Sequence, residues 1–475
     1  MNFKMTPTER KWVWYDVGNS AFTLLVSTLM SIYFNELATN AGVSSENYLA
    51  YWGYATSVST AVVAVLGPTL GTLSDLRGAR KVIFSAALLA GAIGCVVLGF
   101  LQHWMWFLVL FVIAKSGYSL SLVVYDSMLC DVTSDERMDE VSSRGYAWGY
   151  IGSCLPFVLS IGVYILYAMF DLISMPLSMI LVFSLTAVWW VGCSVPLLRS
   201  YRQSHYVEHG GHPVRTGLKN LGGVFKEVGK NKQILFFLLA FFFFIDGVYT
   251  IIDMATAYGT SLGLNTVSLV IALLVTQIVA FPAAILLGML SRKVKPQYLI
   301  IACIVAYFFI TVYAIFLRKE YQFWILAVCV GLFQGTIQAM SRSYYAKIVP
   351  KAKSGEYFGI YDIFGKGAAF MGTLLVSGVT QIFNNQSIGV GALSVMFLIG
   401  LGFFLAAVRA GNKAALVAAE DRDGASSAGS EQVGSDGRGQ AFAGEEALSA
   451  QDLTAEENGH EEGLGRNSLP LSDKE

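Results

Sequence analysis

The sequence predicts an all-α membrane protein: twelve transmembrane helices in two bundles of six, followed by a disordered tail. Two observations predict the membrane class. Of the 475 residues, 55% are hydrophobic and only 14% are charged, whereas soluble proteins average about 25% charged residues. A third observation predicts the halves, because a basic segment at residues 199–232 leaves six apolar stretches on either side. This composition excludes a soluble enzyme, a nucleic-acid-binding protein and a wholly disordered chain.

Each apolar stretch is long enough for the roughly 20-residue helix that crosses a bilayer. The stretches are residues 12–35, 48–72, 82–101, 104–130, 141–170, 175–198, 234–258, 268–290, 298–317, 323–340, 357–382 and 388–408. The predicted regions are a first bundle at 1–198, a central loop at 199–232, a second bundle at 233–410 and a tail at 411–475.

The basic residues predict the orientation. On the side of the N terminus, the N-terminal segment and the loops between spans are assigned 22 Lys and Arg, among them Arg137, Arg144, Arg342 and Lys347. The opposite loops hold only Arg318 and Lys319. Cytoplasmic loops are enriched in Lys and Arg, so both termini are expected in the cytoplasm. The tail carries 14 acidic and 5 basic residues, and its low hydrophobicity predicts disorder.

The central loop has its own pattern. An amphipathic helix on the anionic leaflet is predicted there from the helical spacing of Leu218, Leu221, Val224, Phe225 and Val228. The same loop holds His205, His209 and His212, for which we expect a solvated loop rather than a metal site. The six cysteines form no close-spaced motif and are expected to pack as small apolar residues. No metal or cofactor is expected.

The two halves contain a short sequence repeat. Residues 70–74 read Leu-Gly-Thr-Leu-Ser, and residues 287–291, which lie 217 positions later, read Leu-Gly-Met-Leu-Ser. Parallel six-span repeats are the plan of major facilitator transporters. The loop after the second span resembles the signature loop of that superfamily through Gly71, Asp75, Arg77, Gly78, Arg80 and Lys81. This resemblance implies a conformational latch; an ordinary short turn is the alternative.

Three further segments carry a closer resemblance. They are residues 14–22 (Trp-Tyr-Asp-Val-Gly-Asn-Ser-Ala-Phe), 244–248 (Phe-Ile-Asp-Gly-Val) and the region 341–366. Together they resemble the vacuole-effluxer-like family of the major facilitator superfamily, which includes yeast vacuolar amino-acid exporters and many bacterial proteins. The family pattern Asp-aromatic-Ala-Asn reads Asp-Val-Gly-Asn at 16–19, a departure that affects packing or pocket shape. The short loops favour a prokaryotic plasma-membrane protein.

Polar residues inside the spans mark the candidate pathway, since a charge at the bilayer centre costs at least about 2.5 kcal/mol. They follow single helical faces. The candidates for the solute or ion pathway are Asp16, Asn19, Ser20, Lys115, Tyr118, Asp126, Asp246, Tyr249, Asp253, Gln277, Gln334, Gln338, Asp362 and Lys366.

The mid-span members of this set are expected to line a solute cavity. Lys115 or Lys366 is suited to a carboxylate and Asp246 to an ammonium group, which together fit an amino acid or small peptide. The alternative is that the charges only fix helix packing, as an Asp362–Lys366 pair or as Asp16 held through Asn19. Proton coupling, sodium coupling and facilitated diffusion all fit the sequence.

Three other functions compete with this interpretation. A cation-coupled sugar or lysolipid symporter would stack its solute on Tyr118, Tyr125, Tyr249 or Trp148. A membrane-embedded enzyme is disfavoured, because the sequence has no HExxH, GxSxG or P-loop motif. A sensor would bind solute without moving it and recruit a partner through the tail. We expect a monomer whose partners are a small solute, a proton or sodium ion and the lipid bilayer, with no nucleic acid.

Overall fold

A computed structural model describes residues 3–208 and 226–435. Within these residues, twelve helices are long and apolar enough to cross a membrane. Helices dominate because a backbone surrounded by lipid must satisfy its own hydrogen bonds. Met1–Ala414 forms one compact unit, and the chain from Ala415 belongs to a second.

The first half contains six helices. They are α1 (Pro7–Asn40, with a π-helical turn at Val26–Met30), α2 (Ser45–Ser74), α3 (Ala79–Leu98), α4 (Trp104–Val132), α5 (Asp135–Ala168) and α6 (Met175–Ser200).

The second half repeats this plan. Its helices are α7 (Lys232–Ser261), α8 (Thr266–Leu290), α9 (Pro296–Ile315), α10 (Glu320–Ile348), α11 (Ser354–Phe383) and α12 (Leu393–Ser435). A short helix, Gln386–Gly391, leads into α12.

Sequence-encoded caps start several helices. Thr6 and Glu9 form a reciprocal capping box at the start of α1, which satisfies two backbone N–H groups. The side chain of Ser174 caps α6. Gly78 has φ of +77° before α3, a conformation that glycine adopts without steric cost.

Several helices extend beyond their predicted ends. α5 begins at Asp135 rather than at residue 141, and α10 ends at Ile348 rather than at residue 340. Arg137, Arg144, Arg342 and Lys347 therefore lie in helices, and their placement among the loop residues was wrong. Hydropathy ends a span at its first charged residues, but here the helices continue because Arg137, Arg342 and Lys347 pair with carboxylates of neighbouring helices.

The two halves make their largest contacts along two helix pairs, α2 with α11 and α5 with α8, which we call the two joins. α10 also packs on α5, and α11 also packs on α4. We call the end of the bundle where α1 begins and α2 ends the basic face. Near this face, a Cβ added at Gly71 of α2 would overlap the Gly355 carbonyl oxygen of α11. A Cβ added at Gly288 of α8 would lie 2.5 Å from the Ser143 Cβ of α5. The two glycines of the sequence repeat thus occupy equivalent positions at the two joins.

The central loop and the tail are described in part. Leu218, Leu221, Val224, Phe225, His209 and His212 lie outside the described residues. Residues 226–230 are helical and Val228 is buried. α12 continues to Ser435 and so covers the start of the segment for which the sequence predicts disorder. Extending a helix avoids the cost of nucleation, and residues 414–419 read Ala-Ala-Leu-Val-Ala-Ala, in which alanine and leucine favour a helix. Residues 436–475 lie outside the described residues.

Candidate functional site

A buried ionic cluster links the two halves, and we call Asp16, Asp126 and Arg342 the inter-half cluster. Arg342 of α10 donates through Nη1 to Asp126 Oδ1 of α4 at 3.0 Å. It donates through Nη2 to Asp16 Oδ2 of α1 at 3.3 Å, and its Nε donates to the Ser142 hydroxyl at 3.0 Å. Every guanidinium nitrogen has an acceptor, which is the condition under which a buried charge is tolerated.

Aromatic rings enclose this guanidinium. Its carbon lies 4.3 Å from the centre of the Tyr146 ring and 4.7 Å from that of Trp12. Cation–π contacts of this kind are stronger when water is excluded, and Arg342 is 1% exposed. The cluster therefore joins three helices of one half to α10 of the other.

The α1 candidates support Asp16. Asn19 Nδ2 donates to Asp16 Oδ1 at 3.2 Å, and the Ser20 hydroxyl donates to the Asp16 carbonyl oxygen at 2.8 Å. Asn19 thus holds the carboxylate from its own helix while Arg342 binds it from the other half.

A second set of charges lies farther from the basic face, and we call Lys115, Asp253, Asp362 and Lys366 the central charged group. Lys115 of α4 is half-buried and lies within electrostatic range of Asp253 on α7 and Lys366 on α11. Asp253 is exposed. Lys366 Nζ lies 2.6 Å from Asp362 Oδ1 within α11. The group brings both signs of charge from both halves together.

Tyr118 and Tyr249 lie between the two sets of charges. The Tyr118 hydroxyl hydrogen-bonds the Thr23 hydroxyl at 2.6 Å. Tyr249 is within electrostatic range of Asp362, Asp126 and Tyr118, so it reaches groups of both halves.

Asp246 is not brought into this group. It is fully buried beneath α11, where a Cβ added at Gly372 would lie 2.8 Å from Oδ1. The sequence predicted that Asp246 lines a solute cavity with Lys115. In the structure, Asp246 is instead covered between α7 and α11.

The amide candidates lie within the second half. Gln277 and Gln334 line a small cavity of about 40 Å³ between α7, α8 and α10, whose other lining residues are mostly apolar. The Gln334 Oε1 atom is buried and has no hydrogen-bond partner among the described residues. Gln338 follows one turn later and is 9% exposed.

The predicted latch residues divide into two sets. Asp75 accepts hydrogen bonds from the backbone N–H groups of Gly355 at 2.8 Å and Glu356 at 2.9 Å, so it caps the N terminus of α11 from the other half. Arg80 is fully buried and pairs with Asp75 and with Asp131. By contrast, Arg77 and Lys81 are exposed and stay outside this join.

The latch carboxyl is strongly desolvated. Burial raises the pKa of Asp75 to about 6, because the loss of water outweighs the attraction of Arg80 and the two backbone donors. Gly78 completes the turn, and its N–H donates to the Gln203 side chain at 2.9 Å.

The α5–α8 join uses a different set of charges. Arg292 Nε, just after α8, donates to Glu140 Oε2 of α5 at 2.6 Å. Beside it, Lys347 Nζ of α10 lies 2.6 Å from Asp139 Oδ2. Polar contacts between the halves thus cluster at the basic face in the described part of the chain.

The comparison with protein families covers nearly the whole membrane bundle. The model of the family described as "Vacuole effluxer Atg22 like" matches residues 7–415. The chain belongs to the vacuole effluxer Atg22-like family.

Relatives of this Atg22-like chain are bacterial and fungal. It is 40% identical over 403 residues to the uncharacterized MFS-type transporter YxiO of Bacillus subtilis, covering 84% of this chain and 94% of YxiO. It is 26% identical to autophagy-related protein 22 of Eremothecium gossypii, covering 78% of this chain and 85% of that protein.

Solved structures agree on the fold. The E. coli fucose:proton symporter FucP superposes with a TM-score of 0.63 at 13% identity, covering 85% of this chain and 97% of FucP. The proton:xylose symporter XylE gives a TM-score of 0.64 at 10% identity, covering 84% and 93%. The Atg22-like chain is a major facilitator superfamily transporter and a multi-pass membrane protein.

Sequence reasoning about the Atg22-like chain missed the centre of the inter-half cluster. Arg342 was counted among loop residues, although the motif that carries the family resemblance contains it. The available signal was the family motif at 341–366, which begins Ser341-Arg342-Ser343. Other functional neighbours that were missed are Trp12, Asp131, Asp139, Glu140 and Tyr146.

Proposed function

We propose that this transporter moves amino acids or small peptides across the membrane by alternating access. The observation that carries the proposal is that Lys115 of α4 and Asp253 of α7, opposite charges contributed by the two halves, lie within electrostatic range of each other. A zwitterion has a carboxylate for the lysine and an ammonium group for the aspartate.

The chemistry of the central charged group supports this assignment. Lys366 is already paired with Asp362, whereas Lys115 has an aromatic neighbour, with its Nζ 5.7 Å from the centre of the Phe111 ring. Lys115 therefore binds the solute carboxylate. Asp253 takes the ammonium role that the sequence suggested for Asp246, because Asp253 is exposed and Asp246 is covered.

Orientation rests on the positive-inside pattern. With the basic face in the cytoplasm, both termini are cytoplasmic, and the joins at Asp75, Glu140 and Arg342 close the bundle on that side. The YxiO relative belongs to a bacterium, which supports a plasma-membrane location. The transporter acts as a monomer with a proton or sodium ion as its coupling partner.

The alternative is a cation-coupled symporter of sugars or lysolipids. The aromatic rings on which such a solute would stack already contact other rings of the protein. Tyr118 stacks on Phe22, and Tyr125 stacks on Trp12 with a centroid distance of 4.5 Å. Trp148 makes an edge contact with Phe281. These contacts favour the amino-acid proposal.

Counterflow in proteoliposomes tests the proposal. Vesicles loaded with one unlabelled amino acid should accumulate the same labelled amino acid. Lys115→Gln and Asp253→Asn should each lower this flux at least tenfold, which corresponds to about 1.4 kcal/mol. The matched control Lys293→Gln, at an exposed loop position, should transport normally. Thermal stabilisation by sugars with no amino-acid flux would favour the symporter instead.

A further inference from the structure

Asp246 is a fully buried carboxyl group whose neighbours do not neutralise it. The residue is 0% exposed. Thr250 Oγ1, one turn along α7, donates to Oδ1 at 3.4 Å, and Oδ2 has no hydrogen-bond partner among the described residues. An ionised carboxylate in such a place would leave a charged oxygen without a donor, which is among the most costly arrangements in a protein interior.

α11 covers this carboxyl group with its backbone. A Cβ added at Gly372 would lie 2.8 Å from Oδ1 and 3.0 Å from Oδ2 of Asp246. Only a residue without a side chain leaves room for the carboxyl group. In this conformer the backbone of α11 therefore encloses the carboxyl group against α7.

The charged groups on the helices packed around Asp246 are engaged elsewhere. On α11, Lys366 is paired with Asp362. On α7 itself, Asp253 acts on Lys115, and on α10, Arg342 binds the carboxylates of the inter-half cluster. Within the described residues, Asp246 interacts with Gly372 and Thr250, and neither of these residues carries a charge.

A metal cation would also be poorly held. Hard cations take about six or more oxygen ligands, and the described side chains supply Asp246 with one neighbouring hydroxyl. No group of three metal-ligating side chains occurs within the described residues. A proton needs no further ligands, and it removes the charge.

We propose that Asp246 is a proton-binding site that is occupied in this conformer and that exchanges its proton when α11 separates from α7. α11 couples the two ends of this process. Its N terminus is bound by Asp75 across the join at the basic face, and farther along the helix Gly372 covers Asp246. Release of the join therefore frees the helix that seals the proton. The proposal deepens the proposed transport function by naming its coupling ion.

Infrared spectroscopy tests proton occupancy without any solute. The purified full chain in lipid nanodiscs should show a carbonyl band of a protonated carboxylic acid at neutral pH, which shifts in D2O. Asp246→Asn should lower the intensity of this band by the contribution of one carboxylic acid, and the matched control Asp171→Asn, at an exposed position, should leave the intensity unchanged. Asp246→Asn should also fold with an unchanged melting temperature, because a neutral amide replaces a neutral acid.

A band of unchanged intensity in Asp246→Asn would overturn the proposal, and so would a variant that is strongly destabilised or misfolded. Loss of the wild-type band on addition of NaCl would assign the site to sodium instead.

A transport measurement separates this inference from the solute proposal. With a labelled amino acid, Asp246→Asn should retain counterflow but lose accumulation driven by a pH gradient. Unchanged gradient-driven accumulation would overturn the proton site. Absence of amino-acid counterflow in the wild-type protein would reject the solute class and leave the infrared result valid.

Discussion

Arg342 of α10 binds Asp126 of α4 across the two halves at 3.0 Å, inside the membrane bundle rather than in a loop. The same guanidinium reaches Asp16 at 3.3 Å, so one cation holds two carboxylates. In a two-state transporter, the contacts present in one conformer and lost in the other set the balance between them. The inter-half cluster is such a contact, because it must break if the basic face opens.

Substitution Arg342→Gln should destabilise this conformer by about 3–5 kcal/mol, the usual cost of leaving a buried charge without its partner. A native reporter is available: Cys130 is buried, and its Sγ lies 3.7 Å from the Ala346 carbonyl oxygen of the other half. Maleimide labelling of Cys130, followed by mass spectrometry, should be faster in the variant. Arg409→Gln, at an exposed position of α12, is the control and should label at the wild-type rate.

Equal labelling rates in Arg342→Gln and wild type would show that the cluster does not hold the halves together.

The twelve helices were predictable because hydropathy reports directly on lipid burial. The partners of Arg342 were not predictable in this way. Asp16 and Asp126 are more than 200 residues away along the chain, and a hydropathy profile places any arginine near a span end in a loop. A hydropathy profile therefore assigns to loops the same charged residues that, in the structure, link the two halves from within helices.

The two α7 aspartates illustrate a second limit. Asp246 and Asp253 are seven residues apart, so periodicity places them on the same face of α7. Yet Asp246 is fully buried and Asp253 is exposed. Periodicity predicts which face of a helix a side chain is on. It does not predict over which part of that face a neighbouring helix packs.

The join between α2 and α11 can be tested at Asp75. Asp75→Ala removes the acceptor for two backbone N–H groups of α11 and leaves buried Arg80 with Asp131 alone. The expected loss is about 1–3 kcal/mol for the unsatisfied donors, seen as faster Cys130 labelling and a lower melting temperature. Arg77→Ala changes an exposed residue of the same loop and should alter neither measurement. A response to Arg77→Ala equal to that of Asp75→Ala would mean that loop charge, not helix capping, matters.

The tail should be dispensable for transport. Met1–Ala414 is a compact unit of its own, and the tail bears a net charge of −9, which suits a solvated segment. Deletion of residues 415–475 should leave the melting temperature and amino-acid counterflow within error of the full chain. Loss of flux in a truncated protein that still inserts into membranes would instead assign the tail a regulatory role.

The repeated glycines offer a paired test of the two joins. Gly71→Ala would drive a methyl group into the Gly355 carbonyl oxygen, and Gly288→Ala would bring one within 2.5 Å of the Ser143 Cβ. Because neither helix can relax without separating the halves, each variant should open the basic face and speed Cys130 labelling. Overpacking of this kind typically costs about 1–3 kcal/mol.

Gly162→Ala is the matched control, since nothing lies within 4 Å of a Cβ added at that position of α5. This substitution should be neutral or stabilise the helix by up to about 1 kcal/mol, because alanine restricts the unfolded chain. If the two joins are equivalent, Gly71→Ala and Gly288→Ala should speed labelling to similar extents. Opening by Gly71→Ala alone would mean that the α2–α11 join controls the basic face and that α5 and α8 separate without affecting access to Cys130.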